Sequence, residues 1–131
     1  MTAPTPTYKP GAVLVLPFPF TDKAASKRRP AVVLSSRAFN REAGHFIAAM
    51  VTSAEHEGWP EDVPVGDLDA AGLAHESVVR MKLFTLDERL VLRQAGVLST
   101  GDWSAVTAAL ARVMPTVPTG GVHEPATEYR S

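Results

Sequence analysis

Lys27-Arg28-Arg29-Pro30-Ala31-Val32-Val33-Leu34 sets three cations directly against a short apolar, β-branched run, with a proline at the junction. Ala31 to Leu34 reads as a buried strand, because branched side chains pack well on a pleated surface. Pro30 has no N–H for a ladder and suits the beginning of such a run. Outward from there, Ala12-Val13-Leu14-Val15-Leu16 is a second strand, stopped by Pro17 and Pro19. His45 to Val51, Asp62 to Val65 and Ser77 to Phe84 are further strands, and Leu90 to Leu92 with Ala95 to Leu98 gives one more extended stretch, broken by Gly96. Only the segment after Leu98 reads firmly as a helix. Ser99 or Thr100 caps it, Asp102 suits its positive end, and Trp103, Val106, Ala109, Leu110 and Val113 recur on one face before Pro115 ends it. A shorter turn is expected at Leu68 to Ala71, between Gly66 and Gly72. Short strands separated by turn signals, without βαβ alternation, predict a mostly β protein: a small antiparallel barrel with a C-terminal α-helix.

The chain has 131 residues, of which 45% are hydrophobic and 21% charged, enough for one domain with a real core. Residues 1–10 and 116–131 are rich in Pro, Thr, Gly and Ala and poor in large apolar side chains, so they read as flexible tails around a domain at 11–115. Cysteine is absent, which excludes disulfides, zinc–cysteine sites and thiol catalysis and fits a reducing cytoplasm. No apolar run approaches the roughly 20 residues that span a bilayer, and the first residues lack the pattern of a signal peptide, so no membrane partner is expected.

A formal net charge of -1, from 13 basic and 14 acidic residues, taken as an average argues against a nucleic-acid partner. The charges are segregated, however. Lys23, Lys27, Arg28, Arg29, Arg37 and Arg41 fall between positions 22 and 41 with Asp22 as the only acid, whereas Glu55, Glu57, Glu61, Asp62, Asp67 and Asp69 follow later. The first segment is either a solvated hairpin tip or a phosphate site. An arginine anchored beside a strand loses less entropy on gripping a phosphate than one on a loose loop, and its fork binds two oxygens.

Pro10-Gly11, Val13-Leu14-Val15, Pro17-Phe18-Pro19-Phe20-Thr21-Asp22 and Lys27 to Ser35 together resemble the opening of the MazF/PemK toxins. Val51-Thr52-Ser53, Ser77-Val78-Val79-Arg80 with Lys82 to Asp87, and Gly96-Val97-Leu98-Ser99 continue the likeness in order, to about residue 114. The resemblance implies an SH3-like (CcdB/PemK-type) barrel, a homodimer, and the toxin of a type II toxin–antitoxin system held by a cognate antitoxin. Its implied activity is that of a sequence-specific endoribonuclease on single-stranded RNA, without metal or other cofactor, leaving a 2′,3′-cyclic phosphate and a 5′-hydroxyl. By position, Arg29 matches the family's catalytic arginine and Thr52 the threonine at the scissile phosphate, with Ser53 beside it. Lys27, Arg28, Arg80 and Lys82 are the accompanying RNA-binding cations. The chain departs from some relatives in carrying Ala12 after the first glycine, no histidine in the first loop and no aspartate in Arg80-Met81-Lys82. The acid/base pair of those relatives therefore does not carry over. Two rival readings stand beside this one: a barrel of the same kind that binds RNA or antitoxin without cutting, and a gyrase-directed toxin on the same fold.

The cleavage itself needs charge on the phosphorane to be stabilised, which an arginine fork and a threonine hydroxyl can do. An ordinary arginine holds its proton too tightly to act as a base. His45, His56, His75 and His123 are scattered and read as surface or strand-edge histidines rather than catalytic or metal-binding ones, with His56, near Thr52 in sequence, holding the best remaining claim as an acid/base group. The acids around Glu55 to Asp62 read as a solvated rim. Trp59 either stacks on a base or covers the barrel end. Phe18 and Phe20 either pack or line an RNA groove, and Arg80 is either a phosphate contact or a salt-bridge partner.

Overall fold

The computed structural model describes residues 7–18, 27–55 and 57–115. The β-branched runs become strands β1 (Ala12–Phe18), β2 (Lys27–Val33), β3 (His45–Ser53), β4 (Val63–Pro64), β5 (Ser77–Asp87) and β6 (Arg93–Val97). They form one antiparallel sheet in the order β4-β5-β3-β2-β1-β6. Register shifts between Val13 and Leu14 on the β1–β6 ladder, and between Ala49 and Met50 on the β3–β5 ladder, add twist and curl the sheet. Helices α1 (Arg37–Ala43), α2 (Leu68–Ala71) and α3 (Thr100–Val113), with a single 3-10 turn at Glu88–Leu90, complete the chain order, so the extended stretch expected from Leu90 begins only at Arg93. The architecture is thus mostly β, an SH3-like curled barrel with a C-terminal helix, as the sequence predicts.

Alternation sorts the core into two clusters. Val13, Val32, Ala49, Val51 and Val79 point to one face and are covered by Val63, Val65, Leu98 and the α3 residues Val106 and Ala109. Leu14, Leu16, Phe18, Ala31, Val33, Ala48 and Met50 point to the other, with Phe46 and Leu86. Phe18 is fully buried and meets Phe84 edge-on at 5.2 Å between ring centroids, so of its two readings packing holds.

α2 follows edge strand β4 in the chain yet lies against β6 at the opposite edge of the sheet. Its close approach depends on glycine: a Cβ on Gly72 would sit 2.1 Å from the Ala95 carbonyl oxygen, and one on Gly96 would sit 2.3 Å from that of Ala70.

Several boundaries differ from expectation. β1 runs through Pro17 rather than stopping there, because its last residues pair with β2 alone and β6 reaches only to Val15. β2 begins at Lys27, so the three cations lie within the strand. Gly96 belongs to β6 instead of breaking it. α1 has no counterpart in the sequence reading, since no apolar stripe marks it. It is fixed by the Ser36 cap on the Phe39 N–H, by Gly44 in the left-handed region, and by the buried Asn40 amide, which donates to the Tyr8 carbonyl at 2.8 Å.

Candidate active-site groove

The β2–β3 ladder pairs Val33 with Ala48, Val32 with Ala49 and Ala31 with Met50, and stops there. Pro30, the next residue, has no N–H to offer. Continued past that point, the same register sets Arg29 opposite Thr52, on the sheet face that Ala31 and Met50 already share. Across β3, Thr52 pairs with Val78 and Ser53 with Ser77. Where β2 and β3 part, a groove of about 910 Å³ opens, with Arg28, Arg29, Thr52 and Ser53 in its lining.

Thr52 is buried, and it and Asn40 are the only polar side chains so placed among the described residues. Arg29 is half-buried, and its Nε is enclosed without a hydrogen-bond partner among the described residues. An N–H in that position costs free energy until an acceptor reaches it.

The facing wall consists of α2 and the segment that follows it. Leu68, Leu73, Ala74, His75, Glu76 and Ser77 line it, and Glu55 adds a second carboxylate. This wall is tied down. Ala54 N–H donates to the Glu76 carbonyl at 3.0 Å, Ser77 Oγ to the His75 carbonyl at 2.7 Å, and Glu55 N–H to Ser53 Oγ at 3.2 Å. Asp67 caps α2 through the Ala70 N–H at 3.0 Å. From α3, Asp102 accepts from the Gly66 N–H at 3.0 Å and the Asp67 N–H at 2.9 Å. Burial pushes the Asp102 carboxyl up, but the Asp67 and Gly66 N–H groups and the Ser99 hydroxyl outweigh it and hold the acid below its ordinary value.

Arg80 and Trp59 meet each other elsewhere. Arg80 alternates with the buried Val79 and Met81, and β4 places Asp62 beside it across the ladder. The Arg80 Nε donates to Asp62 Oδ1 at 3.1 Å, and its Nη2 donates to Asp62 Oδ2 at 2.9 Å and the Glu57 carbonyl at 2.7 Å. The guanidinium lies 5.8 Å from the centre of the Trp59 ring, over which it stacks. Burial raises the Asp62 carboxyl, yet the Arg80 hydrogen bond, the Trp59 N–H and the arginine's charge bring it below the usual range. The expected solvated rim is therefore partly a structural pair at Asp62, and Glu61 likewise pairs with Arg112 at 2.7 Å. Trp59 stays 45% exposed beside a cavity of about 400 Å³ lined by Glu57, Gly58, Trp59 and Arg80.

The sequence-predicted residues thus divide. Arg28, Arg29, Thr52 and Ser53 converge on the groove. Lys27 is exposed opposite Phe18, and Lys82 is exposed where β5 bulges between its partners Ala49 and Met50, and neither lines it. Phe20 and His56 lie outside the described residues. His75 and Glu76 line the groove although the sequence reading set His75 aside; the Ser53↔Ser77 register is what carries them there, and it is invisible before the strands are paired. Among the described residues no group of three or more His, Asp or Glu side chains gathers as a metal site, and no helix is long and apolar enough to cross a membrane.

The profile of the PemK-like, MazF-like toxins of type II toxin–antitoxin systems matches residues 9–114. The crystal structure of MazF from Deinococcus radiodurans is 25% identical with a TM-score of 0.68, covering 85% of this chain and 99% of that one. The MazE–MazF structure from the same organism is 26% identical with a TM-score of 0.69, covering 86% of this chain and 100% of that one. An endoribonuclease from a mycobacterial species, in complex with its cognate antitoxin, shares the fold at 19% identity and a TM-score of 0.67, covering 85% and 99% of the two chains. No curated protein sequence matches the chain.

Proposed function

The chain belongs to the PemK-like, MazF-like toxins of type II toxin–antitoxin systems, and from that membership we propose that it is an endoribonuclease that cuts single-stranded RNA in the Arg29–Thr52 groove. The observation that carries this reading is the convergence of Arg29, whose enclosed Nε has no hydrogen-bond partner among the described residues, and buried Thr52 on one open groove. Arg29 holds the non-bridging oxygens of the scissile phosphate and stabilises the charge that grows on them in the transition state. Thr52 donates its hydroxyl to a phosphate oxygen, and Ser53 and Arg28 fix the strand on either side. The 2′-hydroxyl attacks phosphorus, the bond to the 5′-oxygen breaks, and the ends are a 2′,3′-cyclic phosphate and a 5′-hydroxyl. No step calls for a metal ion.

Trp59, held under Arg80, offers an exposed ring on which an unpaired base can stack. Lys27 and Lys82 extend the positive field along the strand, and Phe20 belongs to the same proposed RNA surface. The protein acts in the cytoplasm as a homodimer. A cognate antitoxin restrains it by laying an acidic, partly apolar segment into the groove that RNA would occupy.

The test is incubation of the purified protein with a long RNA in EDTA, followed by mapping of the new ends. Cuts at defined sites that persist in EDTA, and that fall by at least about 100-fold in Arg29→Ala and by a smaller factor in Thr52→Val, are expected. RNA that is bound with undiminished affinity yet left intact by the wild-type protein would instead make the chain a non-cutting binder.

A further inference from the structure

We propose that His75 is the general acid of the groove, the residue that protonates the departing 5′-oxygen; this rests on the ribonuclease reading above. The groove's own chemistry leads there by elimination. Its described lining holds Arg28 and Arg29 from β2, Thr52 and Ser53 from β3, Glu55 from the turn after β3, Leu68 from α2, and His75, Glu76 and Ser77 from the facing wall. Arginines hold their protons far too tightly to give one up, and hydroxyls donate hydrogen bonds without transferring the proton. Carboxylic acids as a class are ordinarily ionised at neutral pH, so they accept protons but have none to give. An imidazole alone, among these side-chain types, is ordinarily populated in both forms near neutrality. Acceptors for the 2′-proton are therefore plural in the lining, whereas among the described lining residues the one imidazole is that of His75.

Local structure ties down the backbone that carries the imidazole. The His75 carbonyl is held by Ser77 Oγ at 2.7 Å, and the next carbonyl, that of Glu76, by the Ala54 N–H at 3.0 Å. Through Ala54, the turn that carries His75 is bonded to the end of the strand that carries Thr52 and Ser53. The side chain is exposed, so it meets a bound strand without first being uncovered.

The proton inventory closes. The 2′-hydroxyl proton passes to a groove carboxylate as the 2′-oxygen forms its bond to phosphorus. The bond from phosphorus to the 5′-oxygen breaks, and that oxygen takes the proton from the His75 imidazolium. The products leave a protonated carboxyl and a neutral imidazole, and one proton moved between them through solvent restores the starting state.

The experiment compares two synthetic RNAs that contain a mapped cleavage site, one with the ordinary 5′-oxygen and one with sulfur in its place at the scissile bond. A thiol is far more acidic than an alcohol, about 8.5 for the cysteine side chain, so the sulfur leaves as thiolate and needs no acid. On the oxygen substrate, His75→Gln is expected to lose about 100-fold or more in kcat/KM and to lose the alkaline limb of the pH–rate profile. On the sulfur substrate it is expected to cut within a few-fold of the wild type. Equal losses on both substrates, or no loss on either, would overturn the assignment. So would a His56→Gln variant that reproduces the oxygen-specific loss while His75→Gln does not. A wild-type protein that cuts neither RNA would fail the ribonuclease reading itself, a result distinct from all of these.

Discussion

Both oxygens of the Asp62 carboxylate are occupied: Oδ1 by Arg80 Nε, and Oδ2 by Arg80 Nη2 and the Trp59 N–H. The side chains of Arg80 and Asp62 keep only 12% and 15% of their exposure, so removing the acid strands a largely desolvated cation. Asp62→Asn is therefore expected to cost about 2 kcal/mol in urea-induced unfolding, less than a fully buried pair because solvent still reaches both groups. The double variant Asp62→Asn/Arg80→Met should recover part of that loss; strictly additive costs would show that the pair is not coupled. Alternation along β5 was enough to place Arg80 away from Val79 and Met81. Its partner was not legible, because β4 has two residues and too short a pattern to announce its register. The same limit hid His75. Arg29 and Thr52, by contrast, could be named because each matches a family residue by position, in a segment whose adjoining apolar run marks it as a strand.

At the scale of elements, the β-branched runs gave the strands and α3 announced itself by its caps and apolar face. α1 did not, since its stabilisation comes from Ser36, Gly44 and a buried asparagine rather than from a stripe. That omission matters for the basic segment. Arg37 and Arg41 belong to α1, beyond the Val33 end of β2, while the groove opens at the Lys27 end, so the basic run read as one unit is divided by the strand. Nor could a sequence pattern show that α2 crosses to β6. The contact depends on Gly96, whose added Cβ would meet the Ala70 carbonyl oxygen at 2.3 Å and the Ala71 carbonyl carbon at 2.6 Å. Both neighbours are backbone and cannot rotate aside. Gly96→Ala is thus expected to lower stability by roughly 1–3 kcal/mol, read as a fall in melting temperature. Because α2 leads into the His75 wall, RNA cleavage should fall with it. An unchanged melting temperature would mean that α2 lifts from β6 without cost.

For the molecule as a whole, acid stability rests on carboxylates whose protons are disfavoured in the fold. Asp102 joins α3 to the chain just before α2, across 36 residues of sequence to the Gly66 N–H. Asp62, just before β4, joins that edge to β5 through Arg80, and Asp87 closes the end of β5 on Arg89 at 2.7 Å. Each is held below its ordinary value. Asp87 is lowered chiefly by the Arg89 side-chain hydrogen bond, while at Asp62 and Asp102 burial opposes the shift and the donors named above overcome it. Since an unfolded aspartate titrates near about 3.9, the unfolded chain binds more protons than the folded one below that pH. The stability these groups contribute is complete above about pH 4 to 5 and is lost as pH falls through their folded values. The urea midpoint should accordingly drop steeply below about pH 4. Asp102→Asn should lower the midpoint at pH 7, where the ionised acid serves two backbone N–H groups, and should flatten the acid drop, because the amide has no proton to gain. A variant that kept the full acid slope would show that Asp102 does not couple protonation to folding.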